Sequence, residues 1–162
     1  MTIEANKAML LIRYNNYKKT DFIEEHNKVI ASNGYVWMLK TGKTIVEAKL
    51  KKVLEETDIL LLRAPKKDGG KYYITNIEEY RYGDSEAGMK FPKYYKNLVE
   101  DEALWEIDSL SGTWLKIGPI REMPKEVVSK FQLISNNKNI EDVINSTRSA
   151  TLYVISIKNV EL

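Results

Sequence analysis

A Gly-Lys-Thr triplet at residues 42–44 stands between a strand-like run and a helix-like run, where nucleotide-binding proteins keep their phosphate loops. Such a loop needs Gly-x-x-x-x-Gly-Lys-Ser/Thr, because the first glycine lets the backbone curl round the phosphates. That glycine would fall at position 37, which is Trp37, and the nearest upstream glycine, Gly34, cannot close the same loop. This is not a phosphate loop. Thr44 and Glu47 read instead as a capping box, Thr-x-x-Glu, opening a helix, with Lys43 left as a candidate contact to a single phosphate.

The aromatic residues say more. Ten tyrosines and three tryptophans outnumber three phenylalanines, so most of the aromatic surface carries a polar edge. Tyr and Trp offer a flat face to a base together with a hydrogen-bonding handle. Trp37 in VWMLK and Trp114 in TWLKI are each followed closely by lysine, and Trp105 lies in LWEI. Tryptophans in strands are commonly core, and that reading stays open beside a ligand-binding one. Along the strand Tyr35 and Trp37 share one face while Val36 and Met38 share the other. Val36 and Met38 suit the core, so Trp37 is expected to face outward or into a pocket, with Lys40 at its rim.

Phosphate contacts come from basic side chains near such faces. Lys40, Lys43 and Arg81 are the candidates, and Tyr82, next to Arg81, joins the ligand-binding set. Lys49, Lys51 and Lys52 read as a solvated helix face. Two or three phosphate contacts imply a log-log salt slope of roughly −1.5 to −3, weak and salt-sensitive binding. A second aromatic group, Phe91, Tyr94 and Tyr95 in KFPKYYKN, reads as a candidate patch for a protein partner.

Catalytic chemistry finds little purchase. The chain has no cysteine, which excludes zinc-thiolate sites and cysteine nucleophiles. Its single histidine, His26, lies mid-helix and reads as structural or surface; it excludes metal sites built on two histidines. Glu78 and Glu79 are adjacent on a strand and point to opposite faces, so they do not form a catalytic pair. A non-enzymatic protein without cofactor or metal is expected, and an enzyme acting on RNA or nucleotides is disfavoured by the lack of an evident general base.

The elements that must hold these residues can be traced along the chain. Its 162 residues suit one domain, and a net charge of +2 gives no strong field toward nucleic acid or membrane. No apolar run approaches a signal peptide or a membrane span, so a cytoplasmic protein is expected. AMLLIRY reads as a buried strand, and Thr20 or Asp21 caps a helix that Gly34 stops. YVWML is the second strand, a helix follows from Thr44, and DILLLRA and KYYITNIEEYRY form a hairpin through PKKDGG. Strands return at ALWEI and TWLKIGPIREM. A helix from Pro124 to about Phe131, a short helix near residue 140 and a closing strand ATLYVISI complete the chain. The total is about six or seven strands with about four short helices. That pattern predicts an α+β fold whose mixed sheet is strongly curled, or an open barrel.

The order of strand, Arg-Tyr-Asn, helix with Glu-His, Gly-Tyr-Val-Trp and Lys resembles the start of PUA-like domains of the EVE and YTH type. GTWLKIGPIREM resembles the tryptophan-bearing strand of their second half, although the first strand lacks the Trp-Leu-x-Lys opening usual in EVE proteins. The resemblance implies a small curled barrel spanning residues 1–162. It also implies recognition of nucleic acid, often through a modified base flipped into an aromatic cage, as in RNA-modification readers and bacterial defence proteins. Carried over, Asn15 would read the base edge, Trp37 and Trp114 would form the cage, and Lys40 or Lys43 would lie near the backbone. The leading expectation is therefore a non-enzymatic nucleic-acid or nucleotide-binding module. The alternative is a small phage- or defence-associated protein that binds a protein partner or sequesters a nucleotide signal.

Overall fold

The computed structural model describes residues 1–16, 21–40, 43–82 and 112–162. The first half of the chain forms β1 (Thr2–Ile3), β2 (Met9–Arg13), α1 (Phe22–Asn33), β3 (Val36–Lys40), α2 (Glu47–Glu56), β4 (Ile59–Arg63) and β5 (Tyr72–Tyr82). The second forms β6 (Thr113–Ile117), β7 (Arg121–Glu122), α3 (Lys125–Val128), β8 (Phe131–Leu133), α4 (Ile140–Val143), β9 (Thr151–Ser156) and β10 (Val160–Glu161). The class is mixed α+β. Two compact units share the chain in interleaved segments. The first comprises Met1–Tyr14, Glu47–Thr75 and Arg121–Leu162; the second comprises Asn15–Val46 and Asn76–Ile120.

In the first unit β2 and β4 run parallel, from Leu10 opposite Leu60 to Arg13 opposite Arg63. β9 lies antiparallel on the other side of β2, and β8 lies beyond it. Their sequences, MLLIR and ILLLR, are continuous apolar runs because both faces of these central strands are buried. One face carries Met9, Leu11, Ile59, Leu61 and Val154 into a core completed by Phe131, Ile140 and Ile144. α2 buries Leu50 and Val53 and packs against β2. A 3-10 turn at Lys66–Asp68, ended by left-handed Gly69, joins β4 to its neighbour β5, and the Ala64 N–H donates to the Lys71 carbonyl at 2.9 Å.

The second unit begins with α1, whose Asp21 side chain accepts the Glu24 N–H at 2.9 Å and whose end is turned by Gly34 at φ +84°. β3 pairs antiparallel with β6, and β6 with residues 77–82 of β5. Gly112, at φ +148°, leads into β6 where a Cβ would lie 2.9 Å from the Lys40 carbonyl oxygen. Only glycine suits that approach. The Asn27 amide imitates a strand neighbour, exchanging two 3.1 Å hydrogen bonds with the Ile120 backbone.

Two sequence expectations are corrected. Thr44 does not cap a helix; α2 starts at Glu47. The reason is long-range: the Ile45 N–H donates to Thr113 Oγ1 at 3.0 Å and its carbonyl accepts from the Tyr82 hydroxyl at 2.8 Å. α3 stops at Val128, because Phe131 already pairs with Ser156 as the start of β8. Among the described residues the strand ladders of both units are open. The expected strand at residues 103–107 lies outside the described residues.

Candidate functional site

The register of the second unit brings several of the anticipated residues onto one sheet face. Trp37 lies opposite Lys116, and Leu39 lies opposite Trp114, which in turn lies opposite Arg81. Residues directly opposite one another in an antiparallel ladder point to the same side. Trp37, Trp114, Lys116 and Arg81 are therefore one cluster, with the two tryptophans as diagonal neighbours. The Arg81 guanidinium sits 5.1 Å from the Trp37 ring centroid, and the Lys116 ammonium sits 4.3 Å from that of Tyr35. Both are cation–π distances. Each cation also meets a carboxylate of β5: Arg81 Nε lies 3.0 Å from Glu79, and Lys116 Nζ lies 3.6 Å from Glu78.

Exposure decides what this face can offer. Tyr35 is 39% exposed, Trp37 is 8% and Trp114 is 0%. Trp37 was expected to look outward while Val36 and Met38 packed inward, but all five residues of β3 are buried. The tryptophans are thus the floor, and Tyr35 and Arg81 are the flat groups at the surface. Lys116, absent from the candidates, was hidden by the need to know the β6 register.

The remaining candidates stand elsewhere. Lys40 is 7% exposed and turns back on its own loop, its ammonium donating to the Lys43 carbonyl at 2.5 Å. Burial, and then the neighbouring charge of Lys43, holds its pKa below the usual lysine range. It is no free phosphate contact. Lys43 is exposed. Tyr82 spends its hydroxyl on Ile45 and meets Tyr80 edge-on, with ring centroids 6.0 Å apart. Asn15 is exposed, while its neighbour Asn16 accepts the Phe22 N–H at 2.8 Å. His26 is fully buried; its Nδ1–H donates to the Phe22 carbonyl at 2.7 Å. Phe91, Tyr94, Tyr95 and Trp105 lie outside the described residues.

The first unit holds a cleft that the sequence did not reveal, about 670 Å³ in volume. α2 supplies Lys49, Lys52, Val53 and Glu56, and β9 supplies Thr151, Leu152, Tyr153 and Ile155. Leu133, Ile134 and Ser135 at the end of β8 form another part of the wall. The Lys49 ammonium lies 5.8 Å from the Tyr153 ring centroid, and burial pushes the Tyr153 phenol above its usual pKa.

Elsewhere in this unit Arg13 and Arg63 stand side by side at the ends of β2 and β4. Arg13 Nη1 donates to the Thr147 carbonyl at 2.7 Å, and Arg63 Nη2 donates to Asn145 Oδ1 at 3.1 Å. Among the described residues, buried Arg63 Nε and Tyr72 Oη find no hydrogen-bond partner. No group of three metal-ligating side chains occurs among the described residues, and none of their helices is long and apolar enough to cross a membrane. No family model, curated protein or solved structure matches this chain.

Proposed function

We propose that the protein is a non-enzymatic binding module that takes a base of nucleic acid, or a free nucleotide, against the Tyr35–Arg81 face of its second unit. One observation supports this above the rest: two cations, Arg81 and Lys116, lie on two aromatic rings, Trp37 and Tyr35, on the same side of one three-stranded ladder. A base stacks on the exposed Tyr35 ring or on the planar guanidinium, while Arg81 and Lys116 exchange Glu79 and Glu78 for phosphate oxygens. Stacking contributes roughly 1–3 kcal/mol per base. Flipping a base from a duplex costs a few kcal/mol, so single-stranded or already extruded bases are the favoured targets. A PUA-like curled barrel, a cytoplasmic setting and a role in sensing modified bases belong to the same proposal. The alternative protein-docking reading rests on Phe91, Tyr94 and Tyr95, outside the described residues.

Fluorescence anisotropy with labelled single-stranded RNA and DNA tests it. Tyr35→Ala and Arg81→Ala are each expected to weaken binding roughly 5- to 150-fold. Neither site is buried, so stability should stay within about 0.5 kcal/mol of the parent. Oligonucleotide affinity that is absent from the parent, or identical in both variants, contradicts the proposal.

A further inference from the structure

We propose that the cleft of the first unit is a separate ligand site for a small organic anion. Its flat apolar ring lies against Tyr153, and its anionic group meets Lys49 and Lys52. The volume of about 670 Å³ falls inside the range of roughly 300–1,000 Å³ typical of small-molecule sites. The cleft exists because of how β9 alternates. Leu152, Val154 and Ser156 are buried, whereas Thr151, Tyr153 and Ile155 remain half-buried on the opposite face. α2 lies on β2, and the sheet continues past it to β9 and β8. Exposed Ile134 and buried Val53 and Leu133 add apolar wall.

Charge on α2 is divided in a way that selects an anion. Lys51 is ion-paired with Glu47 at 3.4 Å. Lys49 and Lys52, three positions apart and so on one side of the helix, line the cleft and form no ion pair among the described residues. The one acid in the lining, Glu56, accepts the Ala8 N–H at 3.4 Å. The hydroxyls of Ser135 and Thr151, which also line the cleft, make no hydrogen bond among the described residues. An aromatic ring, two unneutralised ammonium groups and two spare hydroxyls around an apolar wall fit a ring bearing a phosphate, sulfonate or carboxylate. The site uses no residue of the Tyr35–Arg81 face and stands or falls without it.

Titration with 8-anilinonaphthalene-1-sulfonate, followed by its fluorescence and by amide chemical shifts, tests the assignment. Expected is saturable one-to-one binding with shifts confined to residues 49–56, 133–135 and 147–155. The double variant Lys49→Gln/Lys52→Gln should weaken it about tenfold or more, Tyr153→Ala should weaken it too, and Lys51→Gln should leave it unchanged. Adenosine monophosphate and 2-naphthoate serve as competitors: displacement by the first alone identifies a phosphate ligand, and by the second alone a carboxylate. No saturable binding, shifts elsewhere, equal affinity in the lysine double variant, or failure of both competitors would each overturn the proposal.

Discussion

Both units set a cation against an aromatic ring, yet they leave its charge in different states. In the second unit Arg81 over Trp37 and Lys116 over Tyr35 each also hold a carboxylate, Glu79 and Glu78. In the first, Lys49 over Tyr153 has none among the described residues, and a cleft opens beside it. A cation already neutralised releases little on meeting a phosphate, because one ion pair replaces another. An unneutralised one beside apolar wall gains the whole interaction. The second unit therefore suits an extended ligand that brings many weak contacts, and the first suits a compact ligand with one strong group.

The sharpest way to break this comparison is to test whether the tryptophan floor is structural. Trp114 is fully buried, so Trp114→Ala should cost roughly 3–5 kcal/mol in denaturant unfolding, against less than about 0.5 for Tyr35→Ala. A mild Trp114→Ala would mean that the floor yields and a cage is accessible after all.

A somewhat smaller effect comes from His26. Burial lowers its pKa from 6.5 to about 4, with the Phe22 carbonyl and Glu25 acting in the opposite direction. The folded state holds it neutral while the unfolded chain takes up a proton below pH 6.5. Its contribution is thus complete above pH 6.5 and is lost as pH falls toward 4, by up to about 3 kcal/mol. Melting curves should decline between pH 6.5 and 5, ahead of most carboxylates, and His26→Gln should flatten that stretch. A flat parent profile would show that His26 is solvated.

The smallest effect sharpens the charge argument. Glu79→Gln frees Arg81 from its carboxylate, so oligonucleotide affinity should rise roughly two- to fivefold at low salt. Weaker binding in this variant would mean that Glu79 positions Arg81 rather than competing for it.

Much of the scaffold was legible because its signals are local. AMLLIRY and DILLLRA are apolar runs of strand length, and the helix signals at Asp21 and Gly34 are short-range backbone chemistry. What escaped depends on distant partners. Thr44 looked like a cap, but Thr113 and Tyr82 hold the Ile45 backbone from far along the chain. The two units interleave, so no linker marks a boundary. β1 and β10 are two residues each and carry no periodicity.

The site was half legible for the same reason. Alternation put Tyr35 and Trp37 on one face, but bringing Arg81 and Lys116 there required the ladder register. Lys49 and Lys52 were grouped with Lys51 as a solvated face. Lys51 alone of the three has a glutamate both four residues before and four after it, Glu47 and Glu55, and that difference was the available signal for the cleft.

The proposed function places a base on the aromatic-cation face of the second unit. Amide and side-chain chemical shifts recorded while a short single-stranded oligonucleotide is titrated in test it most directly. The predicted result is a set of saturable shifts at Tyr35, Trp37, Arg81 and Lys116, lost as salt rises, with residues 49–56 and 149–155 unmoved. Shifts absent from that face, or confined to the cleft of the first unit, would contradict it.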